Sequence, residues 1–223
     1  MIIDFHVHTY HSYDSLMQPE KIIRVARQKG LNGCVICDHN TIKGGIETQK
    51  VNPYTDFLVI VGAEIATNAG DITGIFLTEE IRSRDFDEVI GEIRSQGGKV
   101  ILNHPYKAHD LSRIDVSKVD FVEGYNARCS NEENEKAVQL AKKYDKPVVA
   151  GSDAHLYDEI ANCRTFIDGS VTFTPVKTEY SSSRRMNITK SQFVKAWKLK
   201  SLKILISASV RQIKYSVKKA RGK

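Results

Sequence analysis

The chain contains no run of eighteen apolar residues, and its start has no basic segment followed by a long apolar one. These absences argue against a membrane-spanning helix and a cleaved signal peptide. Cysteine is scarce. Four in 223 residues are too few for a disulfide scaffold, and a reducing cytoplasm is the simplest expectation. Cys34 and Cys37 spell C-x-x-C, but positions i and i+3 of a strand face opposite sides, so both read as small core residues rather than a redox or zinc site. No internal repeat or low-complexity block occurs, and no Ser or Cys sits in a nucleophile elbow, which argues against a covalent intermediate. Acid is missing from residue 181 onward: that stretch holds 13 Lys and Arg and no Asp or Glu, whereas residues 1–180 hold 20 Lys and Arg and all 27 Asp and Glu. The net charge of +6 is therefore the sum of an acidic body at −7 and a basic tail at +13.

What is present is alternation. Strands are expected at MIIDF, NGCVICDH, FLVIVGAEI, DITGIFL, KVILNHP, VDFVEGYN and PVVAGSDAH. Helices are expected at QPEKIIRVARQKG, with Pro19 in its first turn and Gly30 as its stop, at FDEVIGEIRSQGG and at NEENEKAVQLAKKYD. Strand–helix alternation predicts an α/β fold with a parallel sheet, and seven strands in so short a chain suggest closure into a barrel. CRTFIDGSVTFTP adds one or two edge strands. Residues 1–180 thus read as a barrel, and 181–223 as a basic helical extension of two segments.

The polar residues fall in a pattern. DFHVHTYHSYD, Asp4 to Asp14, packs three histidines and two aspartates into one short stretch. His6 and His8, spaced i and i+2 on a strand, point to one face and can present two imidazoles to one ion. His6 and His8 end the first strand, Asp38 and His39 the second, Glu64 the third, His104 the fifth, Asn126 the sixth, and Asp153 with His155 the seventh. In a parallel barrel these ends share the rim where active sites are built. Asp71 starts its strand, so it joins them only if that strand is antiparallel or its entry loop folds inward. Imidazole with carboxylate and no thiolate suits Zn, Fe or Mn. One ion needs three or four protein ligands, and this set is large enough for two or three. Ion pairs of this kind recur in phosphoester hydrolysis.

The blocks DFHVHTYHSYDS, CDHNTIKGG, VGAEI, GDITGIF, LNHPY, EGYNAR and GSDAH, in that order over residues 4 to 155, resemble the PHP (polymerase and histidinol phosphatase) family of metal-dependent phosphoesterases. The resemblance implies a distorted (β/α)7 barrel with a metal cluster of two or three divalent ions (Mn, Fe or Zn) at the C-terminal rim of the strands. By position, His6, His8, Glu64 and Asp153 would hold the first metal. Glu64 would bridge to a second, held also by Asp71 and His104. Asp14, His39 and His155 would hold a third. Many members carry His where Asp71 stands, and some where Asp14 stands. Glu64, His39 and Asp153 would be central to catalysis, which would be hydrolysis of a phosphate ester by a metal-activated water.

Arg128 is the first choice for holding a substrate phosphate, with Asn126 and Lys107 beside it; Lys43 and Arg164 are further basic residues near motif loops. Asp38 is expected to orient the His39 imidazole. His11 is expected to be a solvated loop residue and His109 a surface residue. The substrate would be a phosphorylated small molecule or a nucleotide. A nuclease or nucleotide phosphodiesterase gripping a polyanion with the basic tail is the alternative reading, and a non-catalytic metal-binding module the third. The tail, with Trp197 and an apolar stripe among its lysines, either packs on the acidic barrel or contacts nucleic acid or an anionic membrane surface.

Overall fold

Runs of Ile and Val set the inner wall. β1 (Ile2–Val7), β2 (Gly33–His39) and β3 (Leu58–Ala66) lie side by side and parallel. This computed structural model describes residues 1–107, 109–168 and 173–221. β4 (Asp71–Ile75) runs antiparallel to both β3 and β5 (Lys99–Leu102), and β5, β6 (Phe121–Asn126) and β7 (Val148–Gly151) are again parallel. β8 (Cys163–Ile167) is antiparallel to β1, and β9 (Pro175–Tyr180) forms the edge beyond it. The sheet curls until its ends almost meet. Past β7, Ala154 bridges Val7, with His8 N donating to Ala154 O at 3.0 Å and Ala154 N to His6 O at 3.1 Å. The result is an α/β fold around a nearly closed barrel.

One layer fills the barrel: Ile3, Phe5, Val35, Cys37, Ile60 and Ile101 among others, contributed by strand after strand. A second layer, including Cys34, Ile36 and Val7, packs outward against α1 (Pro19–Gln28). Cys34 and Cys37 thus lie on opposite faces of β2, both buried. Each fully buried Ile or Val contributes roughly 1.5–3 kcal/mol of transfer free energy.

The helices are α1, α2 (Lys43–Val51), α3 (Phe86–Ser95), α4 (Asn131–Lys143), α5 (Arg185–Lys198) and α6 (Leu202–Arg221). α1 starts with Pro19, and Gly30 follows its end at φ 81°. Asp85 caps α3 by accepting from Asp87 N and Glu88 N, and Ser130 with Glu133 forms a capping box on α4. α2 carries no strong apolar period because Gly44 and Gly45 open it. Gly44 is required there: a Cβ would lie 1.8 Å from Asp38 Oδ2. No helix separates β3 from β4, which form a hairpin, and two 3₁₀ turns (Leu111–Arg113 and Val116–Lys118) stand between β5 and β6. These replacements are what distort the barrel.

The tail is fastened to this body. Ser183 N donates to Ala127 O at 2.7 Å, Arg128 Nη1 to Ser191 Oγ at 2.9 Å, and Lys198 Nζ to the carbonyls of Tyr10 and Ser12. α6 packs on α5, with Ala196 and Ala208 buried, while Trp197, Leu202, Ile206 and Ile213 remain exposed. Among the described residues no helix is long and apolar enough to cross a membrane.

Candidate metal centre

A bulge aims the first two histidines. Asp4 pairs with Cys34 but Val7 pairs with Ile36, so β1 holds one extra residue between them. Ile3 and Phe5 face the barrel interior, whereas Val7 packs with the outer layer. Without the extra residue, strict alternation would send His6 and His8 outward with Asp4. With it, both rings reach across the barrel mouth. β6 carries a second bulge, between Glu123 and Tyr125, at the same rim.

Each of these rings is held by its Nδ1. His6 Nδ1 lies 2.9 Å from Glu123 Oε1. His8 Nδ1 lies 3.0 Å from Ser12 Oγ, whose own proton goes to Asp38 Oδ1 at 2.7 Å, so the hydroxyl accepts from the ring. Both imidazoles therefore carry hydrogen on Nδ1, which leaves Nε2 as the atom turned toward the carboxylates and the one that would bind a cation. The two Nε2 atoms are buried and have no hydrogen-bond partner. Each stands 3.5 Å from Glu64 Oε2, and Asp153 Oδ1 is 3.4 Å from His8 Nε2 and 3.9 Å from His6 Nε2. Buried ring nitrogens without hydrogen-bond partners, facing ionised carboxylates, fit a divalent cation that would take the place of any proton on them.

The other ligand candidates gather around Glu64. Its Oε1 lies 3.0 Å from His104 Nε2 and its Oε2 2.9 Å from His39 Nδ1. Asp14 lies between the remaining two imidazoles, with Oδ2 3.4 Å from His39 Nε2 and Oδ1 3.1 Å from His155 Nε2. Asp71 reaches this rim because β4 is antiparallel, one of the two routes open from the sequence. His104 at φ 24° and Asp153 at φ 51° hold left-handed backbone, which costs about 1–3 kcal/mol each and is characteristic of functional positions.

Burial opposes every charge here; at Glu64, Asp14, Asp153 and His39 the partners override it, whereas burial and the Glu64 charge raise Asp71. Glu64 stays well below the usual carboxylate range because of His6 and His39, Asp14 because of His155 and His39, and Asp153 because of Lys107 and His6. Glu64 and Asp14 hold the pKa of His39 up to about 10, against its burial. Burial and the nearby His155 push His8 down to about 3, keeping it neutral.

Several residues stand elsewhere than expected. Asp38 does not reach the His39 ring; it accepts from Thr9 N at 2.7 Å, Thr9 Oγ1 at 2.6 Å and Ser12 Oγ, and so orients His8 through Ser12. His109 is not a bare surface residue. Its Nε2 accepts from Asp71 N at 2.8 Å, and Asp71, His104 and His109 can bring one ligand atom each within 4.8 Å of one another. His11 is tied to Glu47, with Nε2 2.7 Å from Oε2. Arg128 borders the central cavity, but its Nη2 donates to Glu159 Oε2 at 2.7 Å. Lys107 borders it too, with Nζ 3.2 Å from Asp153 Oδ2. Asn126 is fully buried beneath the cavity, its amide donating to Glu123 Oε2 at 3.1 Å. Lys43 and Arg164 are not on the cavity wall. Glu123, whose Oε2 also accepts from His104 N at 2.9 Å, is marked in the sequence only as a lone acid inside a strand. Gln192 and Lys195 of α5, which line the cavity from the tail, carry no local sequence signal at all.

A family model described as PHP-associated matches residues 131–175. An uncharacterized protein of Methanocaldococcus jannaschii is 38% identical over 141 residues, covering 57% of this chain and 82% of that protein. A second from the same organism is 36% identical over 174 residues, covering 73% and 68%. Among solved structures, a two-domain protein of Bacteroides vulgatus containing a predicted PHP-like metal-dependent phosphoesterase superposes with a TM-score of 0.67 at 17% identity, over 88% of this chain and 70% of that one.

Proposed function

The chain belongs to the PHP family, and from that premise we propose that it is a metal-dependent phosphoesterase working at a di- or trinuclear centre. The observation that carries the reading is the pair of buried, unpartnered Nε2 atoms of His6 and His8 converging on Glu64 and Asp153. Those four residues would hold one divalent ion. Glu64, which turns one oxygen toward them and the other toward His104, would share a second with His104 and Asp71. Asp14, His39 and His155 would hold a third. Imidazole and carboxylate ligands favour Mn, Fe or Zn. Bound there, such ions supply Lewis acidity toward a phosphoryl group and lower the pKa of water.

The chain's own groups do the rest. Glu123 and the Ser12–Asp38 pair keep Nε2 of His6 and of His8 directed inward. Lys107 stays charged beside Asp153, where its ammonium can reach an incoming phosphate. No Ser or Cys is among the described residues lining the cavity, which supports attack by water rather than by a side chain.

The test is hydrolysis of para-nitrophenyl phosphate and of its methyl diester by the full chain supplied with Mn(II), Fe(II) or Zn(II). Turnover that disappears in Glu64→Gln, with the melt unchanged, is the expected result. A folded, metal-loaded wild type that cleaves neither ester would sink the proposal.

A further inference from the structure

The helix bordering the centre comes from the tail. α5 meets the barrel with its polar face: Asn187 Nδ2 donates to Asp158 Oδ2 at 2.9 Å, Ser191 Oγ accepts from Arg128 Nη1 at 2.9 Å, and Lys198 Nζ donates to Tyr10 O and Ser12 O. Asn187, Ser191, Lys195 and Lys198 follow at steps of three or four and so share that face. Between Ser191 and Lys198, Lys195 borders the cavity, a space of about 220 Å³ that Glu64, Asp71 and Asp153 also line.

Lys195 differs from the other cations there. Arg128 is paired with Glu159 at 2.7 Å and Lys107 with Asp153 at 3.2 Å. Among the described residues no carboxylate forms a salt bridge with Lys195. Its ammonium lies 4.3 Å from the centroid of the Tyr13 ring, and Tyr13 stacks on His39 with centroids 4.3 Å apart and planes 3° apart. An aromatic face steadies an ammonium without using up its N–H donors. A second unspent donor is nearby: Arg128 Nε is buried and has no hydrogen-bond partner, on a side chain only 6% exposed that also lines the cavity.

We infer that Lys195, backed by Arg128 Nε, forms the anion-binding edge of this site and selects dianionic phosphomonoesters over monoanionic diesters. The inference rests on the phosphoesterase reading above. Once divalent ions balance the acidic wall, the Lys195 charge is left for the substrate. A terminal phosphate offers it an anionic oxygen that a diester replaces with an ester linkage.

Two measurements on the full chain with Mn(II) decide it: calorimetric binding of inorganic phosphate, which needs no turnover, and the ratio of kcat/KM for para-nitrophenyl phosphate to that for its methyl diester. Lys195→Ala should weaken phosphate binding roughly tenfold or more, the usual worth of one charge-assisted hydrogen bond, and lower the ratio by a similar factor. Lys195→Arg should restore most of both. Lys190→Ala, which removes the same charge from an exposed position on the same helix, should change neither. Unchanged phosphate affinity or an unchanged ratio in Lys195→Ala overturns the inference, and so does an equal effect from Lys190→Ala. If wild type turns over neither ester, the phosphoesterase reading fails by itself, and the phosphate titration still decides whether Lys195 binds the anion.

Discussion

Replacing Glu123 by glutamine separates the orientation of a ligand from its identity. Glu123 Oε1 meets His6 Nδ1 at 2.9 Å, while Oε2 accepts from His104 N at 2.9 Å and Asn126 Nδ2 at 3.1 Å. A glutamine of the same shape must place its NH₂ group at one of these two positions. At the Oε2 position it would face two donors and leave buried N–H groups unpaired, at about 1–3 kcal/mol each. At the Oε1 position it faces one imidazole nitrogen, which can change tautomer and accept. The second arrangement is cheaper. It moves the His6 hydrogen to Nε2, the atom that faces Glu64 and Asp153, and a protonated Nε2 has no lone pair for a metal. Metal affinity should therefore fall roughly 10–100-fold, the usual effect of losing an orienting partner. That range corresponds to about 1.4–2.8 kcal/mol of binding free energy. The metal-free fold should lose only about 1 kcal/mol, because one hydrogen bond is exchanged for another. Calorimetric titration with Mn(II) and Zn(II), beside a thermal melt in chelator, reads both quantities. A Glu123→Gln protein that melts like wild type and binds both metals with unchanged affinity would refute this reasoning.

Gly151→Ala should damage the same place by crowding, since a Cβ there would lie 2.3 Å from Glu123 Oε1 and 2.4 Å from His6 Cβ. A loss of about 1–3 kcal/mol in a denaturant titration, with weakened metal binding, is expected, and an unaffected melt and affinity would contradict it. Arg128→Met leaves Glu159, whose side chain is 0% exposed, without its cation. Equilibrium unfolding should show about 3–5 kcal/mol of destabilisation; a change below 1 kcal/mol, roughly the worth of a surface pair, would mean that the pair is not holding α5 and the His155 loop together. All four cysteines are buried, and burial raises every thiol pKa, that of Cys129 to about 12. The reactive thiolate is therefore scarce near neutral pH, so a disulfide reagent should label the native protein slowly and all four thiols only after unfolding. Fast labelling of the native state would show that the core is more open than described.

The strand candidates, the helices α1, α3 and α4, and the rim position of the histidines and acids were all legible in the sequence. These features depend on local spacing: apolar period, Pro19 and Gly30 as stops, and polar residues at the ends of β-branched runs. Helix α2 was not, because Gly44, held close to Asp38, and Gly45, held close to Val61, erase the apolar signal. The direction of β4 was left open because a five-residue strand reads the same in either sense, and only its pairing with β3 and β5 puts Asp71 at the rim. The inward aim of His6 and His8 was not legible either. Both share a face by spacing alone, but which face depends on one extra residue between Asp4 and Val7, a feature of pairing with β2 rather than of β1 itself. Glu123, Ser12 and Lys195 came to the site from segments 117, 4 and 189 residues along the chain from His6, His8 and His6 respectively, two of them far beyond the reach of any local pattern. The residue types that can bind a cation are a property of the sequence. Which lone pairs point at it, and which cation is left unpaired beside it, depend on tertiary contacts, because orientation and charge pairing exist only once distant segments meet.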